Sequence, residues 1–216
     1  MAVTWSKFFP YVQPYVPGCP EVVIESHLQE AAAEFAMRSS VWRVVIDRDF
    51  TSKSTPDYKI SVPNGTVLEN ILHLNMDGLR LQRVTDKHYS IPLDDRGKAI
   101  LGRPMKYAVV GDDTVQFFPT PDKTYGFEGL AVVKPKLTAT GVEDFIFETH
   151  GRTIAAGAIS RIAGIPNKEW SNSELAMYYR GLFNRDSDAA AGRDTRGSNI
   201  RVAAVGFDST PRRRRK

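Results

Sequence analysis

The chain has 216 residues, 42% of them hydrophobic and 25% charged, enough apolar content for a sizeable core, and this excludes a chain disordered throughout. A single cysteine, Cys19, excludes an internal disulfide and a four-ligand Cys/His zinc cluster, and no apolar run approaches the roughly 18 residues a membrane span needs. The formal charge of +4 is not spread over the chain: without Arg212 to Lys216, 24 Lys and Arg stand against 25 Asp and Glu. The body is therefore close to neutral, and the basic character belongs to one end.

The first twenty residues are punctuated by Pro10, Pro14, Pro17 and Pro20 and lack the apolar stretch and small-residue cleavage pattern of a secretory signal. With one cysteine, this predicts a soluble protein made in a reducing, cytosolic compartment. Residues 1–19 read as an N-terminal arm carrying Trp5, Phe8, Phe9, Tyr11 and Tyr15, which either docks on a neighbouring subunit or covers the chain's own core. A helix is expected from Pro20 to about Arg38, because Ile24, Leu28, Ala31, Ala32 and Phe35 recur at the spacing of one buried stripe.

From Val44 to about residue 142 the pattern changes to β-branched and aromatic runs separated by Pro, Gly, Asn and Asp, which predicts an inserted antiparallel β domain of six to eight strands. Met76-Asp77-Gly78-Leu79 marks one hairpin, and Gly111-Asp112-Asp113, between Tyr107–Val110 and Thr114–Phe118, marks another. Helix resumes near Glu143, where Phe147, Ile154, Ala158 and Ile162 form a stripe and Gly151, Ala155, Ala156 and Gly157 leave room for a close neighbour. Ser171-Asn172-Ser173-Glu174 has the form of a capping box, opening a last helix with Leu175, Tyr178, Tyr179, Leu182 and Phe183 that fades from Asp188 to Gly192. The fold class predicted is α+β: a helical bundle from residues 20–43 and 143–196, the β domain at 44–142, and an extended basic C-terminal arm at 197–216. Twenty extended residues at up to ~3.3–3.6 Å each reach on the order of 65–70 Å, so that arm can touch another molecule.

Catalytic motifs are missing: there is no phosphate-binding G-x-x-x-x-G-K-[ST], no G-x-G-x-x-G, no H-E-x-x-H and no G-x-S-x-G. Asp94-Asp95 and Asp112-Asp113 could bind a metal or act as acid and base, but both lie beside glycine where Asp serves turns. His27, His73, His88 and His150 are scattered, and Cys19, just before a helix, could have its thiol pKa lowered by the helix dipole but has no evident His partner. Trp42 and Trp170 suit packing at helix ends. No cofactor or metal is predicted. The terminal Thr210-Pro211-Arg212-Arg213-Arg214-Arg215-Lys216 could contact phosphates or an acidic protein surface, and charge alone does not choose.

Tyr15-Val16-Pro17-Gly18-Cys19-Pro20, Ala31-Ala32-Ala33-Glu34-Phe35 and Arg38-Ser39-Ser40-Val41-Trp42 resemble the opening helix of head-to-tail adaptor proteins of tailed bacteriophages. Met76-Asp77-Gly78, Gly102-Arg103-Pro104, Phe117-Phe118-Pro119-Thr120-Pro121 and Lys168-Glu169-Trp170 are similar to later parts of the same pattern. The resemblance, spanning roughly Pro10 to Asn184, implies a non-enzymatic virion protein made in the host bacterial cytoplasm. It implies a ring, typically of twelve copies, beneath the portal protein, extending the channel for packaged DNA and carrying tail or nozzle proteins. On that reading Arg201, Phe207, Arg212, Arg213, Arg214, Arg215 and Lys216 contact portal or DNA, and Trp5, Phe8, Phe9, Tyr11 and Tyr15 form a subunit-interface arm. The alternative is a nucleic-acid-binding accessory protein acting through its basic tail.

Overall fold

A computed structural model of the protein describes residues 2–84, 93, 95, 97–111 and 113–195. The chain is α+β. It opens with β1 (Ala2–Thr4), a 3-10 turn over Trp5–Phe8, α1 (Phe9–Val12) and a second 3-10 turn, then enters α2 (Glu21–Ser39). Pro20 is the N-cap of α2 in an extended conformation, where its missing N–H costs nothing, and Ile24, Leu28, Ala31, Ala32 and Phe35 are all buried as their spacing predicts.

The strands that follow are β2 (Arg43–Phe50), β3 (Asp57–Lys59), β4 (Thr66–Met76), β5 (Leu79–Arg80), β6 (Gln82–Arg83), β7 (Leu101–Gly102), β8 (Lys106–Val110), β9 (Thr114–Phe118), β10 (Thr120–Pro121), β11 (Gly126–Pro135) and β12 (Gly141–Glu143). One four-stranded sheet runs β2-β11-β4-β5 and is antiparallel throughout; the second runs β3-β9-β8-β6. Tyr58 on β3, Phe117 on β9 and Phe127 on β11 meet with ring centroids 5.2–5.7 Å apart and join the two sheets. Asp77 and Gly78, both at positive φ, make the two-residue hairpin expected between β4 and β5. The β region is not purely antiparallel, however: β6 pairs with β8 and β7 with β10 in parallel. Each of those pairs is separated by more than a dozen residues, enough for the crossover that parallel pairing requires.

The chain returns to helix at α3 (Asp144–Ala163) and α4 (Ser173–Thr195). Along α3 almost every side chain from Gly151 to Ala163 is buried, apart from Arg152 and Arg161, because α2, α4 and the N-terminal turns all pack against it. The cap of α4 differs from the capping box expected: Asn172 Oδ1 accepts the Leu175 N–H at 3.0 Å, whereas Ser171 bonds within the preceding turn to Ile165 and Lys168. Asn is as good an N-cap as Ser, and one residue of shift suffices to transfer the role. The helix also runs past the fading point expected, with Ser187 and Ala190 buried.

Residues 2–16 do not form an extended arm. Trp5, Phe8, Val12 and Val16 follow a three-four-four spacing and are fully buried in the chain's own core, with the Trp5 indole N–H donating to Ala139 O at 2.6 Å. Pro10 and Pro14 sit in the first turns of their short helices, where proline is tolerated, so the prolines shorten these helices without preventing them. β1 then closes on β12, and there Gly141 is required: a Cβ on it would lie 2.0 Å from Val3 O.

A Cβ on Gly157 would lie 2.7 Å from the Phe183 ring and 3.0 Å from Ala31 Cβ. Gly157→Ala is therefore expected to lower the free energy of unfolding by about 1–3 kcal/mol, read from the denaturant midpoint at unchanged slope. Glu143, half-buried where β12 meets α3, has its carboxyl pushed up by burial, partly offset by the Trp42 indole. A raised carboxyl pKa means the folded state holds the proton better, so this contribution to stability is present at low pH and lost as pH rises through the raised value. Glu143→Gln should raise Tm at neutral pH by an amount that shrinks on acidification; a pH-independent difference would contradict the assignment.

Candidate interaction surfaces

Two features stand out in the helical layer. The first is a charged seam linking α2, α3 and α4. Glu34 on α2 accepts a close ion pair from Arg161 Nη2 on α3 and a second from Arg180 Nη2 on α4 at 3.0 Å, while Arg38 lies 3.6 Å from it. Arg38 continues the seam to Asp188 at 2.9 Å and Asn184 at 2.5 Å. The guanidiniums of Arg38, Arg161 and Arg180 lie 5.6–6.0 Å from the centroid of the Phe183 ring, the same ring that rests on Gly157. This half-exposed seam ties the three helices to one another.

The second feature faces outward. Between the N-terminal turns and the α3–α4 pair lies a groove of about 460 Å³, walled by Pro10, Tyr11, Pro14 and Tyr15, floored by Ala155, Ala156 and Ile159, and closed by Tyr179 and Leu182. Tyr15 and Tyr179 meet edge to face at 5.2 Å, and Tyr178 extends the aromatic run at 5.3 Å from Tyr179. Burial and the adjacent Tyr15 push the Tyr179 phenol well above its ordinary pKa. Tyr11, Tyr15, Tyr178 and Met177 are exposed, the last two by more than 60%. Arg152 lines the groove and has no carboxylate within ion-pair distance among the described residues; Arg185 is paired to Asp186 at 2.9 Å. A rigid aromatic rim, a small-residue floor and one uncommitted guanidinium suit another polypeptide better than a small polar substrate.

Of the five aromatic residues expected in a subunit-interface arm, Trp5 and Phe8 are spent on the chain's own core, Phe9 packs at its edge, and only Tyr11 and Tyr15 reach the surface. Arg201, Phe207, Arg212, Arg213, Arg214, Arg215 and Lys216 lie outside the described residues, as do His88, Asp94 and Asp112. Asp95 is exposed, and Asp113 serves its turn through Thr114 with Lys59 at 3.7 Å. His27 sits 3.2 Å from Glu30, and His150 stacks on Phe35 at 4.7 Å. The Cys19 thiol is pushed up by burial, opposite to the helix-dipole effect considered from sequence. Among the described residues no three His, Cys, Asp or Glu come together as a metal site, and no helix is long and apolar enough to cross a membrane. No family model matches the sequence, and no curated protein does. The sequence places Tyr178 and Tyr179 on the last helix without showing which surface they meet; Tyr179 is half-buried against Tyr15 and Tyr178 is exposed.

Neutralising Glu34 alone leaves three guanidiniums crowded at one place. Glu34→Ala should cost about 1–3 kcal/mol, between the values for exposed and buried pairs, and a double-mutant cycle with Arg161→Ala should recover a coupling of at least about 0.5 kcal/mol.

Proposed function

We propose that the protein is a structural component of a tailed bacteriophage particle, a head-to-tail adaptor that assembles as a ring, dodecameric like the portal, extends the DNA channel and carries tail or nozzle proteins. The reading joins the sequence resemblance to an α+β chain, taken here as a helical bundle with an inserted β domain, and one observation supports it: the exposed tyrosine groove between the N-terminal turns and α4. A ring requires each copy to offer a heterologous surface to the next, with rotation that closes. Tyrosines 11, 15 and 178 supply large, stiff contact area at small entropic cost, and Arg152 can meet a neighbour's carboxylate. The basic C-terminal arm is assigned to portal or packaged DNA.

The second reading, a nucleic-acid accessory protein, draws on the five consecutive basic residues at the end of the chain. It requires duplex binding that is lost on truncation at Thr210.

Electron microscopy of the purified protein with and without a portal ring tests the proposal. Rings are expected at least in the presence of portal, and Tyr15→Ala with Tyr178→Ala should cut ring occupancy about tenfold or more, as for loss of an interface hot spot. Monomers that never associate with portal would overturn it.

A further inference from the structure

Where the two four-stranded sheets meet lies a basic groove that the ring reading does not use. It has a volume of about 540 Å³ and runs along the outer part of β4, with the β5–β6 segment as its other wall; Asn70, His73, Arg80, Gln82, Arg83 and Tyr107 supply its polar groups. None of its lining residues is acidic. Glu69, the carboxylate next to it on β4, is taken by Lys134 at 2.7 Å.

The groove owes its form to a break in β4. Opposite β11, Leu130 pairs with His73 but Ala131 pairs with Ile71, so Leu72 is an extra residue that bulges the strand. A bulge re-aims side chains and frees backbone groups from the ladder. Here the Leu72 carbonyl accepts from Arg80 Nη2 at 3.4 Å, and the Asn70 side-chain oxygen accepts a close hydrogen bond from Arg83 Nη1. Both guanidiniums are thus held by neutral oxygens. Neither has a carboxylate within ion-pair distance among the described residues, and each is directed by the neutral oxygen it donates to. Beneath them lies the buried Tyr107, and Leu81 adds an apolar patch beside the two charges. Both guanidiniums line the same groove as Tyr107, whose pKa burial raises while the charges of Arg83 and then Arg80 work against that rise.

We infer that this groove binds a phosphate group, with Arg80 and Arg83 as its paired cationic anchors and His73 and Gln82 at its edge. A planar guanidinium matches the oxygens of phosphate with forked donors, and two of them fixed by neutral partners form a preorganised anion receptor. The space is many times that of a single carboxylate and falls in the range of sites for nucleotide-sized groups. The phosphate is either a diester in a nucleic-acid backbone or a free phosphate or nucleotide. The inference does not depend on ring formation.

Full-length protein would be titrated with a fluorescein-labelled DNA duplex by anisotropy and with inorganic phosphate by calorimetry. Parallel titrations would use Arg80→Gln/Arg83→Gln, Arg80→Lys/Arg83→Lys, and a full-length chain with Arg212 to Lys216 all changed to Gln, each checked for an unchanged melting transition. If the ligand is a nucleic-acid backbone, the Gln pair weakens duplex binding about tenfold and lowers the salt slope by about two, the Lys pair restores the slope but not the full affinity, and the tail variant keeps the groove-dependent part. If the source is free phosphate, the Gln pair abolishes phosphate heat and leaves duplex binding unchanged. Less than about a twofold effect of the Gln pair on both ligands, or capture of polyglutamate in place of both, would overturn the inference.

Discussion

The helical layer depends on how closely other segments can approach α3. Its middle is built from Gly151, Ala155, Ala156, Gly157 and Ala158, so α2, α4 and the N-terminal turns all lie nearly against its backbone. Phe183 fills the space above Gly157, and the arginines of all three helices gather around that ring, with Glu34 balancing part of their charge. The small side chains let the helices approach, and polar contacts between residues more than a hundred positions apart, Arg38 to Asn184 and Arg161 to Glu34, then tie α2 to α3 and α4.

Much of this architecture was legible in the sequence. The stripes of α2 and α3 came from period alone, and Asp77-Gly78 marked its hairpin because few residues adopt the positive φ that turn demands. What escaped reading did so for physical reasons. Pro10 and Pro14 disguised a helical spacing in residues 5–16 that was present in Trp5, Phe8, Val12 and Val16. The parallel pairings of β6 with β8 and β7 with β10 are two residues long, too short to leave a period. The cap moved from Ser171 to Asn172 because both side chains can serve and only the tertiary turn decides.

The surfaces were less legible than the core. The tyrosine groove is assembled from residues near the start of the chain and near its end, and the basic groove exists because β4 bulges at Leu72, which no residue pattern announces. Counting charge over the whole chain also concealed it. A near-neutral body can still place two guanidiniums side by side in one groove, each held by a neutral oxygen, with no carboxylate within ion-pair distance among the described residues.

On the proposed reading, the helical layer presents its exposed tyrosines to a neighbour of the same kind. The most direct measurement replaces Tyr178 with a photoreactive benzoylphenylalanine and irradiates the full-length protein bound to portal. The account predicts covalent links between copies, mapping to one recurrent peptide of the adjacent chain. Links to portal alone, or none at all while the protein remains bound, would contradict it.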